Sequence, residues 1–487
     1  MASEPNPTTH FSAVGVDQIT ARPDAREAFS KRLLIVRDPL RVLLLLLTIL
    51  TISRAHQHYP ILAKLRPALL LILASSGYAF LNPRALTRRN VLNYWPMLLV
   101  AILAILSCFS VAFGISLGGS AAFILASYSK TVAYAFLLAI SIRHTRDLFT
   151  FVWAYVLACA ILAYFSLFVF RVSAGGGNDL ARLGELYTYD SNDLGVVLMI
   201  GLPLTLLLLT VERGWKRWLL LITVIGIVAS IARSGSRGGF LGFVAVGVLG
   251  LFLINNVSAS RRLSILVASL LVLAFGAPPG YWKQMGTIMT PSQDYNYSSG
   301  EGRRMVWQRG FGYMESYPAF GLGIGNFGRA ECTISTKALT RKNGPMKCSA
   351  PHNSYLQAGA ELGPAGLLFW SALVIGGIVG PLRLRKRLPR GWRVGTPTEQ
   401  FIYNATTFFS LAMFGFAVTS FFVSFAWLDP IYVMAAFITG LYVGMREYRA
   451  EIELLGINRT RPMRYSEMPP EWRVTQSANR LRASAAT

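Results

Sequence analysis

The sequence predicts an all-α polytopic membrane protein with about twelve transmembrane helices and one long outer loop. Three observations predict it. Charged residues make up only 14% of the 487 and hydrophobic residues 53%, whereas a soluble globular chain carries about 25% charged residues. The mean hydropathy is +0.45, which belongs to the membrane class. The apolar residues also fall in runs near the ~20 residues that a helix needs to cross a ~30 Å hydrocarbon core.

Those runs lie at about 40–55, 63–82, 94–113, 118–142, 148–170, 192–211, 217–232, 239–255, 263–278, 363–382, 401–425 and 430–446, the first and seventh being the weakest. The first run, Leu40–Ile52, has no small-residue cleavage site after it and reads as an uncleaved anchor. The chain then divides into an N-terminal arm (1–38), helices one to nine (39–277), a long loop (278–362), helices ten to twelve (363–446) and a C-terminal tail (447–487). The tail is rich in Arg and Glu with little apolar periodicity, as in a partly disordered segment.

A formal net charge of +24 would suit a nucleic-acid binder. The positions of the charges exclude that class, because most Lys and Arg sit in short clusters between apolar runs, where they set topology and meet anionic lipid headgroups. One set of alternate loops holds Arg84, Arg88, Arg89, Arg143, Arg146, Arg213, Lys216, Arg217, Arg261, Arg262 and the run from Arg383 to Arg393. The opposite short loops hold only Arg54, Lys64, Arg66, Arg182, Arg233 and Arg237. By the positive-inside rule the first set is cytoplasmic, both termini are cytoplasmic, and the loop 278–362 faces outward.

Three outward places carry the few charges. One is Ser173–Asp193, with Arg182; another is the short turn Ala232–Gly239; the third is the end of the long loop, Ala350–Tyr355. Arg237 stands within a residue or two of a membrane boundary, in a turn flanked by Ser236 and glycines that let donors approach a ligand. A guanidinium at the edge of hydrocarbon is costly unless an anion pairs with it. The start of the eighth helix adds its positive end at the same spot, and arginine suits bidentate capture of phosphate. The alternative is an arginine that snorkels to headgroups.

Of five histidines, His10 and His144 are cytoplasmic by this topology, and His56 and His58 lie in the first outer loop, where an interfacial role is the default. His352 stands beside Asn353 and Tyr355 at re-entry into the membrane. Its imidazole is the side chain best suited to take a proton near neutral pH, although a loop histidine is more often structural or solvated. Cys108 and Cys159 read as small core residues. Cys332 and Cys348 share the long loop and read either as a disulfide, if that face is oxidising, or as two free thiols. The loop also opens a predicted amphipathic helix at Gly302, with Arg303 and Arg304 at its start. The glycines between Phe320 and Phe327 lack the strand–turn–helix setting of a nucleotide-binding turn.

Taken in order, these segments resemble the O-antigen ligase and polymerase superfamily. The resemblance rests on Ser236–Gly239 after a span; on Gly302, Arg303 and Trp307; on Pro318, Gly321, Gly323 and Phe327; and on Pro351–Leu356 with Glu361 and Gly363. Asp190–Asp193 after Arg182 is similar to the family's outer motif leading into the next span. The resemblance covers about 175–370. It implies a GT-C-like membrane glycosyltransferase of the bacterial inner membrane with a periplasmic site. The donor would be an undecaprenyl-diphosphate-linked oligosaccharide and the acceptor a sugar hydroxyl on a glycan or lipid, with no cofactor and no metal.

Carried over residue by residue, the resemblance implies that Arg182 and Arg237 bind the donor diphosphate and that His352 activates the acceptor. Arg233, Ser236, Arg303, Arg304, Asn353 and Tyr355 are the remaining candidate substrate contacts. Two guanidiniums would stabilise charge developing on the leaving diphosphate, and an imidazole base would favour direct attack with inversion. Asp190 and Asp193 are the nearest outward carboxylates to a metal pair, and they read better as caps of the sixth span.

The leading expectation is a polymerase of O-antigen or exopolysaccharide repeat units, with a flippase and a chain-length regulator as candidate partners. Its sibling is the ligase that joins finished polymer to lipid A–core, and protein O-glycosyltransferases share the same motifs. From another class comes a lipid-linked glycan flippase or transporter. That reading expects internal repeats and ionisable groups near the midplane, whereas the spans are almost free of charge apart from Lys130.

Overall fold

The computed structural model of the chain describes residues 38–83, 90–174, 181–183, 189–254, 258–277, 280–290, 302–340 and 348–454. Each of the expected apolar runs is helical. The helices are α1 (Pro39–Ser53), α2 (Pro60–Leu81), α3 (Trp95–Phe113), α4 (Leu117–Ser141), α5 (Thr145–Val169) and α6 (Ser191–Val211). They continue with α7 (Trp215–Ser234), α8 (Arg237–Leu253), α9 (Ala259–Gly276) and the short α10 (Tyr281–Gly286). Beyond these lie α11 (Arg303–Ser316), α12 (Phe327–Thr333), α13 (Thr336–Thr340), α14 (Ser354–Arg387), α15 (Pro397–Thr419) and α16 (Asp429–Leu454).

Among the described residues, nine helices are long and apolar enough to cross a membrane, and α1 and α8 are shorter apolar helices. The protein is thus an all-α polytopic membrane protein. Its one β element is a hairpin of β1 (Val172–Ala174) and β2 (Ala181–Leu183), with Ser173 opposite Arg182.

Helix α6 is the most enclosed of the nine, with 78% of its apolar window buried, so it marks the centre of the bundle. It packs along α15 and α8. The approach to α8 is close because both helices place glycine there: a Cβ on Gly195 would stand 3.1 Å from the Gly239 Cα. Asp190 starts α6 with a capping box, accepting from the Asn192 and Asp193 N–H groups, while Asp193 Oδ2 accepts from the Asp190 N–H at 3.0 Å. Both carboxylates therefore serve as caps, which satisfies donors that would otherwise be orphaned at a helix start.

The two ends of the bundle differ. At one end Arg41 meets Asp147 at 2.8 Å and Lys216 meets Glu212 at 3.7 Å. This is the end richest in Lys and Arg, called here the basic end. At the other, the loop end, α11 and α12 fold over the start of α14 around a small apolar core that includes Val306, Tyr313, Phe327 and Leu356. Arg309 grips Glu331 through Nε at 2.9 Å, and Tyr313 donates to the same carboxylate. That carboxylate holds the Arg309 guanidinium above its ordinary range, and burial, reinforced by Glu331, raises the Tyr313 phenol.

Helix α14 begins at Ser354, inside the stretch read as loop. Its kink falls at Gly363, whose φ of 72° only glycine adopts readily. Pro364 follows, so the helix breaks at the residue where the sequence places the loop boundary.

Candidate active site

The first part of the site is the turn between α7 and α8. Gly235 ends α7 in the left-handed region (φ 64°) and lets the chain reverse within two residues. Ser236 then caps α8: its Oγ accepts from the Gly239 N–H at 3.1 Å and donates to Asn192 Oδ1 at 2.8 Å. This ties the start of α8 to the start of α6. Arg237 is thereby fixed at the first residue of α8, half-buried, with Nη1 donating to Thr287 Oγ1 at 2.8 Å. Beside it, Tyr281 Oη and Gln284 Nε2 are buried polar atoms without a hydrogen-bond partner. Arg233, one turn back on α7, donates to the Phe170 carbonyl at 3.4 Å, and its Nε also lacks a partner.

The second part is the turn into α14. His352 has φ 46°, a left-handed conformation unusual for a side chain with a Cβ, which costs on the order of 1–3 kcal/mol. Its neighbours hold it there. The Pro351 carbonyl accepts from Trp307 Nε1 at 2.9 Å, the His352 N–H donates to Ser424 Oγ at 2.9 Å, and Asn353 Oδ1 caps α14 through the Tyr355 and Leu356 N–H groups. Asn353 is thus occupied as a cap. Tyr355 donates through Oη to the Ala417 carbonyl at 3.2 Å and stands edge-on to Trp370.

One uncharged segment, 420–427 between α15 and α16, joins the two parts. Phe422 packs on Gly238, where a Cβ would come within 3.0 Å of the Phe422 Cβ. Two residues on, Ser424 holds the His352 backbone. Phe425 stacks on Tyr189, centroids 6.3 Å apart, and the Arg54 guanidinium lies 4.0 Å above that same ring. Arg54 therefore reaches segment 420–427 through the Tyr189 ring.

Below Arg237 runs an apolar groove of about 690 Å³. It starts at Leu241, one turn of α8 below Arg237, passes Val244 and Val248, and ends at Phe252. Its other wall is α15 with Phe421 and Phe422. Phe421 also meets Trp307 edge-on at 5.4 Å, so the groove opens at its top onto the His352 turn.

Other motif residues hold the loop end together or lie at the start of α11. Glu361 is buried in α14 and accepts from the Gly325 N–H (2.8 Å), the Phe327 N–H (3.3 Å) and Trp427 Nε1 (2.6 Å). Gly321, Gly323 and Gly325 all have positive φ, and a Cβ on Gly321 would sit 2.6 Å from the Ala360 carbonyl oxygen. The glycine run is therefore a seam threaded between α4 and α14. Arg303 and Arg304 lie in the first turn of α11, the former half-buried and the latter exposed. Cys332 and Cys348 are joined by a disulfide, Cα atoms 5.0 Å apart, that ties the end of α12 to the approach of the His352 turn.

The turn that carries Arg233, Ser236 and Arg237 and the turn that carries His352, Asn353 and Tyr355 thus both contact segment 420–427. The side chain of Arg182 lies outside the described residues. Sequence reasoning did not single out Arg54, Tyr189 or segment 420–427. Arg54 had a signal, being one of few outward cations, but an uncharged Ser-Phe-Phe-Val-Ser-Phe stretch offers nothing to a search for charge.

Comparison with known families adds one finding: residues 222–371 match the family model described as O-antigen ligase. The matched stretch contains both the Arg237 and the His352 turns. No curated protein matches the chain.

Proposed function

We propose, from the match of residues 222–371 to the O-antigen ligase family model, that the chain transfers a glycan from a lipid-diphosphate donor to a sugar hydroxyl. In this reading the loop end is periplasmic, both termini are cytoplasmic, and the membrane is the bacterial inner membrane. The observation that carries it is the groove below Arg237, whose apolar walls suit a polyprenyl tail and whose Phe421 meets Trp307, the indole that bonds the Pro351 carbonyl next to His352. A lipid in that groove would place its diphosphate at the start of α8. There Arg237 and the positive end of α8 favour an anion, and Arg233 and Arg182 would add charge from neighbouring turns.

Chemistry at that point breaks the bond between the anomeric carbon and the diphosphate oxygen. Negative charge grows on the leaving diphosphate, and preplaced guanidiniums stabilise it without reorganising. His352 would take the acceptor hydroxyl's proton as the new bond forms on the opposite face of the sugar, which inverts the anomeric centre. Trp307, Ser424 and the Asn353 cap orient that histidine, and none of these steps calls on a metal ion.

Among superfamily reactions we favour polymerisation of O-antigen or exopolysaccharide repeat units, with ligation to lipid A–core as the second. The test uses purified protein in nanodiscs with undecaprenyl-diphosphate-linked repeat units. A ladder without added lipid A–core marks the polymerase, and a single adduct that needs lipid A–core marks the ligase. Movement of donor across the bilayer with no new glycosidic bond would overturn both and leave a flippase.

A further inference from the structure

We propose that a second cavity at the loop end, about 540 Å³ between the end of α1, the Arg66 break in α2 and Lys130 of α4, binds a phosphate group carried on a lipid or a sugar. This site is separate from the Arg237 turn and does not depend on what that turn holds. Its polar lining is His56, Gln57, Arg66 and Lys130, with alanines and Leu69 completing the walls; no carboxylate lines it.

The charge balance favours an anion. Asp429, at the start of α16, accepts from Thr131 Oγ1 at 2.6 Å and lies within electrostatic reach of both Arg54 and Lys130. Asp193 also faces Arg54. Two carboxylates thus stand near Arg54 and Lys130, and Arg66 adds a third cation on the cavity wall.

The local backbone is built for a site. Arg54 (φ 50°) and Arg66 (φ 47°) bracket the segment that carries His56 and Gln57, and with His352 they are the non-glycine residues with positive φ among those described. Such strain persists where the surrounding fold imposes it and concentrates at ligand sites. A wide π-type turn, Ile124–Tyr128, interrupts α4 two residues before Lys130, and such turns are frequent at functional positions. A lysine within a membrane helix is costly unless it meets an anion or water.

His56 supplies the remaining polar group. Its Nδ1 is buried and without a hydrogen-bond partner. Burial first, then the Arg54 charge, lowers its pKa, which favours the neutral ring, and that ring can bond a phosphate or sugar hydroxyl. Below Arg66, α2 turns Leu70, Leu73 and Phe80 outward, at 56%, 59% and 82% exposure. This unpartnered stripe gives acyl chains a path down from a headgroup phosphate held at Arg66 and Lys130.

The test is native mass spectrometry of the full chain, presenting phosphatidic acid against phosphatidylcholine, with inorganic phosphate as competitor. The wild type should retain phosphatidic acid preferentially. The Arg66→Gln/Lys130→Gln double variant should lose that preference by about tenfold or more, roughly the effect of one charge-assisted contact. Arg66→Lys/Lys130→Arg should keep it, which separates lost charge from lost folding, and Arg237→Ala should also keep it. Displacement by inorganic phosphate at concentrations comparable to the lipid would identify the phosphate itself as the ligand; resistance to it would identify the lipid headgroup. Equal retention of both lipids by the wild type, unchanged preference in the double Gln variant, or loss in Arg237→Ala alone would overturn the proposal. Glycan transfer is read separately, so failure here leaves the donor reading intact.

Discussion

Two cation pairs at the basic end of the bundle compare with three arginines on the rim of the loop end. At the basic end, two cations meet built-in carboxylates: Arg41 with Asp147 at 2.8 Å and Lys216 with Glu212 at 3.7 Å. At the loop end, three rim arginines also touch neutral groups. Arg54 lies over the Tyr189 ring, Arg237 donates to the Thr287 hydroxyl, and Arg233 donates to the Phe170 carbonyl. A carboxylate partner cancels a charge, whereas a ring, hydroxyl or carbonyl orients it and leaves its field to act on an incoming anion. The first arrangement anchors a helix end, and the second suits a binding site.

Mutations can break this contrast, the largest effects first. Arg237→Ala and His352→Ala should each lower glycan transfer by about 10²–10³-fold or more, the usual loss when a transition-state contact is removed. Insertion and thermal stability should stay near wild type, measured by transfer assay and melting on the same preparations. Next comes the seam. Glu361→Ala orphans the Gly325, Phe327 and Trp427 donors, at about 1–3 kcal/mol for each buried group left unpaired. Melting temperature should fall clearly, and transfer should fall with it.

At the basic end, Asp147→Ala leaves Arg41 without its closest acid. Breaking such a buried pair costs about 3 kcal/mol, while transfer per folded molecule should hold. Equal catalytic loss in Asp147→Ala and Arg237→Ala would erase the distinction between the two ends. The smallest effect belongs to Ser236→Ala, which removes one helix cap worth about 1 kcal/mol. It should reduce transfer several-fold by loosening Arg237 and change stability little.

Much of the fold was legible because the membrane makes it so. Apolar length dictates where helices lie, and Asp190 and Asp193 read as caps from position alone. Arg237 and His352 were legible because a charge or an imidazole at a membrane edge is conspicuous. Other features left no such mark. Segment 420–427 joins the two turns through packing and a serine hydroxyl, and Arg54 reaches that segment only because Tyr189, distant in sequence, offers it a ring. The beginning of α14 at Ser354 was hidden because helix outside the bilayer carries no hydropathy signal, while Gly363 and Pro364 suggested a boundary that is a kink. Glu361 looked like one motif residue among several, and its burial under the glycine seam separates it from the groups proposed to meet substrate.

The central claim is that donor lipid lies in the groove between α8 and α15 with its diphosphate at Arg237. Photocrosslinking tests it most directly, using a polyprenyl diphosphate with a diazirine in its tail and peptide mapping after irradiation. The account predicts labels on 241–252 and 414–422, with binding weakened in Arg237→Ala. Labels confined to α2 below Arg66, unaffected by Arg237→Ala, would contradict it.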